Sequence, residues 1–171
     1  HQFSGGMRQR VVIALALAAD PKLIVADEPT TALDVSIQAQ IIDLLKKLCK
    51  ENGTSVMLIT HDMGVIAETA DRVAVMYAGR IIEIGPVQQV IQNALHPYTN
   101  GLMRSIPTLD PAIHELEQIP GSMPRLNAIP NGCAFNPRCR EVFDKCLVAR
   151  PDLIPLEERQ VACWLHEEVK A

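Results

Sequence analysis

Residues 23–29 read Leu-Ile-Val-Ala-Asp-Glu-Pro. Four apolar residues in a row, two of them β-branched, suit a short strand buried on both faces, and the proline that follows closes it. Two adjacent carboxylates at the tip of such a strand raise each other's pKa and lose hydration, so burying them is costly. A divalent cation removes that cost. One reading therefore has Asp27 hold a metal ion, through water, while Glu28 polarises an attacking water. The other makes the pair a solvated turn.

The flanking segments alternate in type. Upstream, Gly5–Ala19 favours helix, and Asp20-Pro21 ends it because the residue before proline is pushed out of the α region. Downstream, Ile37, Ile41, Leu44, Leu45 and Leu48 form a helical stripe over Ser36–Glu51, closed by Asn52-Gly53. Val56–Ile59 predicts a second buried strand ending at Thr60-His61-Asp62. Met63–Thr69 predicts a helix, and Arg72–Met76 and Gly79–Gly85 predict strands. Such alternation implies right-handed crossovers and a mostly parallel sheet with flanking helices. Ligands of those sheets sit beyond the carboxyl ends of the strands. Asp27, Glu28 and His61 fall at two such ends, which makes them neighbours in space. By itself His61 reads equally as a satisfied structural histidine.

Two further stretches concern helix starts. Ser4-Gly5-Gly6 precedes a helix whose first N–H groups have no internal partner, and glycines there let a phosphate approach the backbone. Thr31-Ala32-Leu33-Asp34 precedes the second helix, where Asp34 is placed to accept from its first N–H groups.

Taken together, SGGMRQR (4–10), LIVADEP (23–29), TALD (31–34) and ITHD (59–62) resemble, in order and spacing, the C-terminal half of an ABC-type P-loop ATPase. The resemblance implies that Ser4, Gly5, Gly6 and Met7 are the signature that touches ATP held by the other subunit of a dimer. It makes Asp27 the Walker B ligand of Mg²⁺, Glu28 and His61 the catalytic pair, and Asp34 the D-loop residue coupling the two sites. Phe3 and Met7 depart from the commonest signature and match the variant found in peptide importers. The phosphate-cradling Walker A loop lies upstream in that family, so a chain with this content is expected to show no ATPase activity alone. His at position 1 in place of Met likewise suggests a fragment.

The remainder of the 171 residues bears on partners. A net charge of −4 with scattered Lys and Arg gives no electrostatic footprint for nucleic acid. The longest apolar run, Val11–Ala19, is far below the ~20 residues a membrane span needs, and no signal peptide is visible. Past Arg104 the texture changes, with six of the twelve prolines between Pro107 and Pro137. This reads as an extended connector to a small cysteine-bearing tail. His96-Pro97-Tyr98, followed by Leu102 and Ser105-Ile106-Pro107, resembles the C-terminal extension of ATPases from dipeptide, oligopeptide and nickel importers; physically it is also a proline-started helix.

Of the five cysteines, Cys49 reads as a small buried hydrophobe. Cys133, Cys139, Cys146 and Cys163, separated by five, six and sixteen residues, make a complete shell for zinc or an iron–sulfur cluster. Free thiols are the third option. A tail this small gains only about 3–5 kcal/mol from a core, so a bound metal would decide its folding. The importer resemblance implies a [4Fe-4S] cluster.

The expected organisation is an ABC ATPase portion over 1–85 and an importer-type extension over 86–171. The resemblance implies an ATP-hydrolysing subunit for di- or oligopeptide uptake. It would work at the cytoplasmic face of the membrane with a second ATPase subunit, two permease subunits and, indirectly, a solute-binding protein. The competing classes are a soluble ABC ATPase without transport and a metal-binding regulatory module.

Overall fold

The structure, a computed structural model, describes residues 3–31, 33–106 and 118–169. His1, Gln2, Ala32 of the TALD stretch and the 107–117 part of the connector, with Pro107, lie outside the described residues. The chain divides into two compact units, residues 1–69 and 70–171.

The first unit runs α1 (Gly5–Leu17), β1 (Leu23–Asp27), α2 (Val35–Asn52), β2 (Ser55–Ile59) and α3 (Met63–Thr69). β1 and β2 pair in parallel from Leu23↔Ser55 to Asp27↔Ile59, so both strands end side by side. The stripe expected on α2 supplies the core: Ile41, Leu45 and Cys49 are buried with Ile13 of α1, and Ile24, Ala26, Leu33, Ile37 and Leu48 pack on them. Gly53 ends α2 at a φ of 67°, which a residue without Cβ adopts freely. The Thr54 hydroxyl donates to the Pro21 carbonyl at 2.9 Å and ties the two strand starts together.

Two expectations change here. The strands are not buried on both faces: Ile24 and Ala26 face the helices, whereas Leu23, Val25, Met57 and Ile59 are exposed. Helices α1 and α2 cover one side of the pair only, among the described residues. Asp34 stands at the N-cap of α2, but its side chain makes no capping hydrogen bond. The Gln38 amide instead donates to the Thr30 carbonyl at 3.2 Å, which holds the preceding turn onto the helix.

The second unit contains β3 (Arg72–Tyr77), β4 (Arg80–Pro86), α4 (Val87–Gln92), α5 (Pro97–Arg104), α6 (Asp144–Val148), β5 (Ile154–Leu156) and β6 (Arg159–Val161). Short 3₁₀ turns cover Asn136–Arg138 and Trp164–Val169. The sheet order is β3-β4-β6-β5, and every pairing is antiparallel. The parallel arrangement expected from sequence thus applies to β1 and β2 and not to this sheet. The cause is local. Ala78 and Gly79, at φ 47° and 79°, make the two-residue turn with left-handed backbone that returns a strand alongside itself. Through Glu83↔Val161 and Ile84↔Gln160 the tail pairs onto β4, which groups β3 and β4 with the cysteine-bearing region.

β3 alternates cleanly, with Val73, Val75 and Tyr77 buried. β4 does not, since Ile82 and Glu83 are both buried. Glu83 is 0% exposed, and its carboxylate accepts from the Leu95 N–H at 2.9 Å and the His96 N–H at 3.0 Å. A buried carboxylate is tolerated only with such partners. Here the donors are orphan amides at the start of α5. Beside it Tyr77, Tyr98 and Phe135 pack edge to face or tilted, with centroids 4.7–5.5 Å apart. Arg138 locks this group by donating to the Tyr77 hydroxyl and to the carbonyls of Ile119 and Pro120. Among the described residues no helix is long and apolar enough to cross a membrane.

Candidate functional site

Parallel pairing brings the residues expected to act together to one edge of the first unit. Beyond β1, Glu28 leaves the strand with a φ of 45°, a left-handed backbone that a non-glycine residue holds at a cost of about 1 kcal/mol. Its N–H donates to the Ile59 carbonyl at 2.9 Å, which fixes the turn against β2. The side chain then meets His61, whose Nδ1 lies 2.7 Å from Glu28 Oε1. Since a carboxylate only accepts, Nδ1 carries the proton and donates. The Thr31 hydroxyl donates to the other oxygen at 3.3 Å. The hydrogen bond from His61 holds the Glu28 carboxyl below its usual range, and the same bond raises the His61 imidazole above 6.5. Both groups meet water, with side-chain exposures of 35% and 87%, so solvent screens the pair.

A raised imidazole has a chemical consequence. With Nδ1 engaged, only the protonated ring presents a second donor, at Nε2, and that is the form able to bind an anion. The contact is complete between the two pKa values. Its ionic part is lost as pH rises through the raised His61 value, leaving a neutral Nδ1–H···O bond, and again as pH falls through the lowered Glu28 value. His61 should therefore titrate above 6.5 when followed by its ring C–H proton shifts. Glu28→Gln should return it toward that value. An unshifted His61 in the unsubstituted protein would remove the ion pair from the folded state.

Asp27, the last residue of β1, is exposed beside this pair. Ser4 caps α1, its hydroxyl accepting from the Met7 N–H at 3.3 Å. Gly5 and Gly6, which open α1, have a packing role that sequence reasoning missed. A Cβ on Gly5 would come within 2.9 Å of Leu33 Cδ2, and one on Gly6 within 2.8 Å of Ile37 Cγ2. The start of α1 thus rests on the residues around Asp34, joining the Ser4-Gly5-Gly6 stretch to the start of α2 within one unit. Asp62 was equally unread: its carboxylate accepts from the N–H groups of Gly64 and Val65 and fixes the backbone just after His61. An Asp one residue before a helical segment was the available signal.

In the second unit Cys133, Cys139, Cys146 and Cys163 line one small pocket together with His96, Phe135, Asn136 and Trp164. All four are unbridged thiols. Burial pushes Cys133 and Cys139 up and Cys163 to about 11, and the neighbouring thiols push in the same direction. Backbone amides oppose this: Phe135 and Asn136 bond the Cys133 sulfur, Glu141 that of Cys139, and Leu165 that of Cys163, each favouring thiolate. Three of the four clustered thiols have N–H donors beside them, an arrangement that suits a cation offsetting their charge. Among the described residues, no three His, Cys, Asp or Glu side chains are arranged to close on a single metal ion. A larger cavity of about 480 Å³ opens between the β3–β4 turn and residues 150–153, but of the four thiols only Cys133 reaches it.

Comparison with known proteins decides the lineage. Residues 82–146 match the family described as oligopeptide/dipeptide transporter, C-terminal region, and residues 1–31 match the ABC transporter family. Over 169 residues the chain is 53% identical to the oligopeptide transport ATP-binding protein AppD of Bacillus subtilis, covering 98% of this chain and 52% of AppD. The chain is similar to ATP-binding proteins of oligopeptide and dipeptide ABC transporters. It is also 51% identical over 169 residues to the oligopeptide transport ATP-binding protein OppD of Haemophilus influenzae, covering 98% of this chain and 52% of OppD. It therefore spans about half the length of these ABC relatives. Among solved structures it is similar to cbiO1 from Clostridium perfringens, part of the ABC transporter complex cbiONQ. That likeness has 36% identity and a TM-score of 0.51, and covers 54% of this chain and 37% of cbiO1. It supports the mixed α/β ABC ATPase fold expected from the four motifs.

Proposed function

We propose that this chain is the catalytic and C-terminal portion of an ATP-hydrolysing subunit that energises uptake of di- or oligopeptides. The observation that carries the reading is the Glu28–His61 contact at the adjoining ends of two parallel strands. Glu28, held in place by Thr31 and by its strained backbone, keeps lone pairs free to orient a water for in-line attack on the γ-phosphate. His61, protonated and bonded through Nδ1, presents its Nε2 donor to that phosphate. Asp27 would hold Mg²⁺, which when bound neutralises charge on the phosphates. Ser4, Gly5, Gly6 and Met7, at the start of α1, would complete the site of a second ATPase subunit, and Asp34 would couple the two sites. Packing of Gly5 and Gly6 on Leu33 and Ile37 supports that coupling, because movement at one is felt at the other.

On this reading the subunit works at the cytoplasmic membrane face beneath two permease subunits fed by a solute-binding protein. ATP-driven peptide uptake into vesicles carrying the full-length assembly tests it. Uptake that requires ATP is the expected result. Hydrolysis by the assembly with no peptide moved would leave a non-transport ATPase in its place.

The four cysteines are the ligand set we assign to a [4Fe-4S] cluster. The amide donors aimed at three of the sulfurs support a thiolate-bound centre. The four thiols line one small pocket, and in a cluster each cysteine binds a different iron. When bound, such a centre supplies structural cross-links and a one-electron redox function.

A further inference from the structure

The cavity of about 480 Å³ lies wholly within the second unit, and its lining is of two kinds. One part is apolar and belongs to the sheet. Tyr77 and Ile82 are buried there, as is Ala162, whose N–H donates to the Ile82 carbonyl at 2.8 Å. The cross-strand pair Met76 and Ile81 lines the same cavity yet stays 58% and 38% exposed. Leu126, also exposed, stands 4.0 Å from the place a Cβ on Gly79 would take, beside the β3–β4 turn. Apolar side chains gathered around a hollow and left in water are what a ligand with an apolar body covers. The volume also falls within the range of about 300–1,000 Å³ found for small-ligand sites.

The other part carries charge of both signs. Arg150 donates through Nε to the Gly132 carbonyl at 3.3 Å, and among the described residues its two terminal nitrogens have no hydrogen-bond partner. Arg80 and Asp152 likewise have no hydrogen bond or ion pair among the described residues. The arginines thus keep donors for a carboxylate, and Asp152 keeps acceptors for an ammonium group. A purely anionic amphiphile would satisfy the arginines and leave Asp152 unmatched beside its charge. A zwitterion with apolar side chains matches all three groups and the sheet beneath them.

We infer that this cavity binds a short peptide with apolar side chains and free ends, its carboxylate taken by Arg80 and Arg150 and its ammonium by Asp152. That such peptides reach this subunit rests on the peptide-uptake reading; the cavity's chemistry stands apart from it. The site shares no residue with the Glu28–His61 contact, so peptide held there takes no part in hydrolysis directly.

Calorimetric titration of the full-length subunit with the dipeptide leucyl-leucine tests this, and saturable binding is the expected result. Arg80→Gln should weaken it roughly 10- to 100-fold, the loss expected for a charge-assisted hydrogen bond. Arg80 is exposed and has no partner among the described residues, so the fold does not depend on it. Leucyl-leucinamide, which lacks the carboxylate, should bind weakly and be indifferent to Arg80→Gln. Asp152→Asn should weaken the free dipeptide and leave its N-acetyl form unchanged. No saturable binding, or equal affinity in Arg80→Gln, overturns the inference. Octanoate or free leucine bound as tightly as the dipeptide gives the cavity to another ligand and overturns it too. ATP-driven uptake by the assembly is followed separately. Uptake without dipeptide binding removes this site and leaves the transport reading standing, whereas binding lost in Arg80→Gln supports the site whether or not peptide is moved.

Discussion

Glu28→Gln in the full-length subunit should leave ATP binding near normal and lower hydrolysis by about 10²–10⁴-fold, the range a positioned general base contributes. The substitution is nearly isosteric. Its amide oxygen can still accept from His61 Nδ1, and its NH₂ can donate to the Thr31 hydroxyl, so both contacts of the native side chain have a replacement. The charge goes, and with it the pull on the attacking water and the raised affinity of His61 for its proton. Binding and turnover measured on the same preparation separate the outcomes. Intact binding with lost turnover places the carboxylate in the chemical step. Turnover close to the unsubstituted level would take Glu28 out of it.

The largest structural effect is expected at Gly132. Its φ is 69°, and an added Cβ would lie 2.2 Å from the Cys146 carbonyl oxygen and 2.7 Å from the Leu147 carbonyl carbon. Both are backbone atoms, which cannot swing aside as a side-chain end can. The same Cys146 carbonyl accepts the Cys133 N–H at 2.8 Å, so the clash falls on the bond that sets two of the four thiols opposite each other. A left-handed alanine costs about 1–2 kcal/mol and overpacking about 1–3 kcal/mol more. Gly132→Ala should therefore destabilise the second unit by roughly 2–5 kcal/mol, on the summed cost of left-handed backbone and overpacking, and disperse the thiols. Thermal denaturation together with the metal content of the purified protein reads both effects. Gly121 provides the control: its φ is 73°, but a Cβ there meets nothing closer than 3.6 Å, so Gly121→Ala carries the backbone cost alone. Equal melting temperatures for the two variants would contradict the steric argument.

The meeting of Glu28 and His61 in the first unit was legible because it is written in short-range signals. An apolar run ending in Asp27-Glu28 and another ending at His61 set two strand tips, and parallel pairing does the rest. The α2 stripe likewise named its buried face in advance. What the sequence hid depends on partners far along the chain. One-sided burial of β1 and β2 is a matter of which helices pack there, and composition looks the same either way. The Asp34 cap failed because Gln38 holds the preceding turn through Thr30, a contact that cap preferences do not encode. Burial of Glu83 depends on amides more than ten residues further on. The antiparallel second sheet turned on Ala78-Gly79, where alanine gives no hint of a left-handed backbone. The four cysteines were visible as a set, but the pocket they share with His96 arises from how the tail pairs with β4.

The backbone at Glu28 carries an implication for anyone seeking a hardier version of this molecule. A left-handed φ of 45° is the conformation that glycine and asparagine hold most cheaply, so a screen for thermal tolerance will favour those residues there. Either choice would relieve local strain and discard the carboxylate. On the catalytic role proposed for Glu28, heat resistance and turnover are thus set against each other at a single peptide unit.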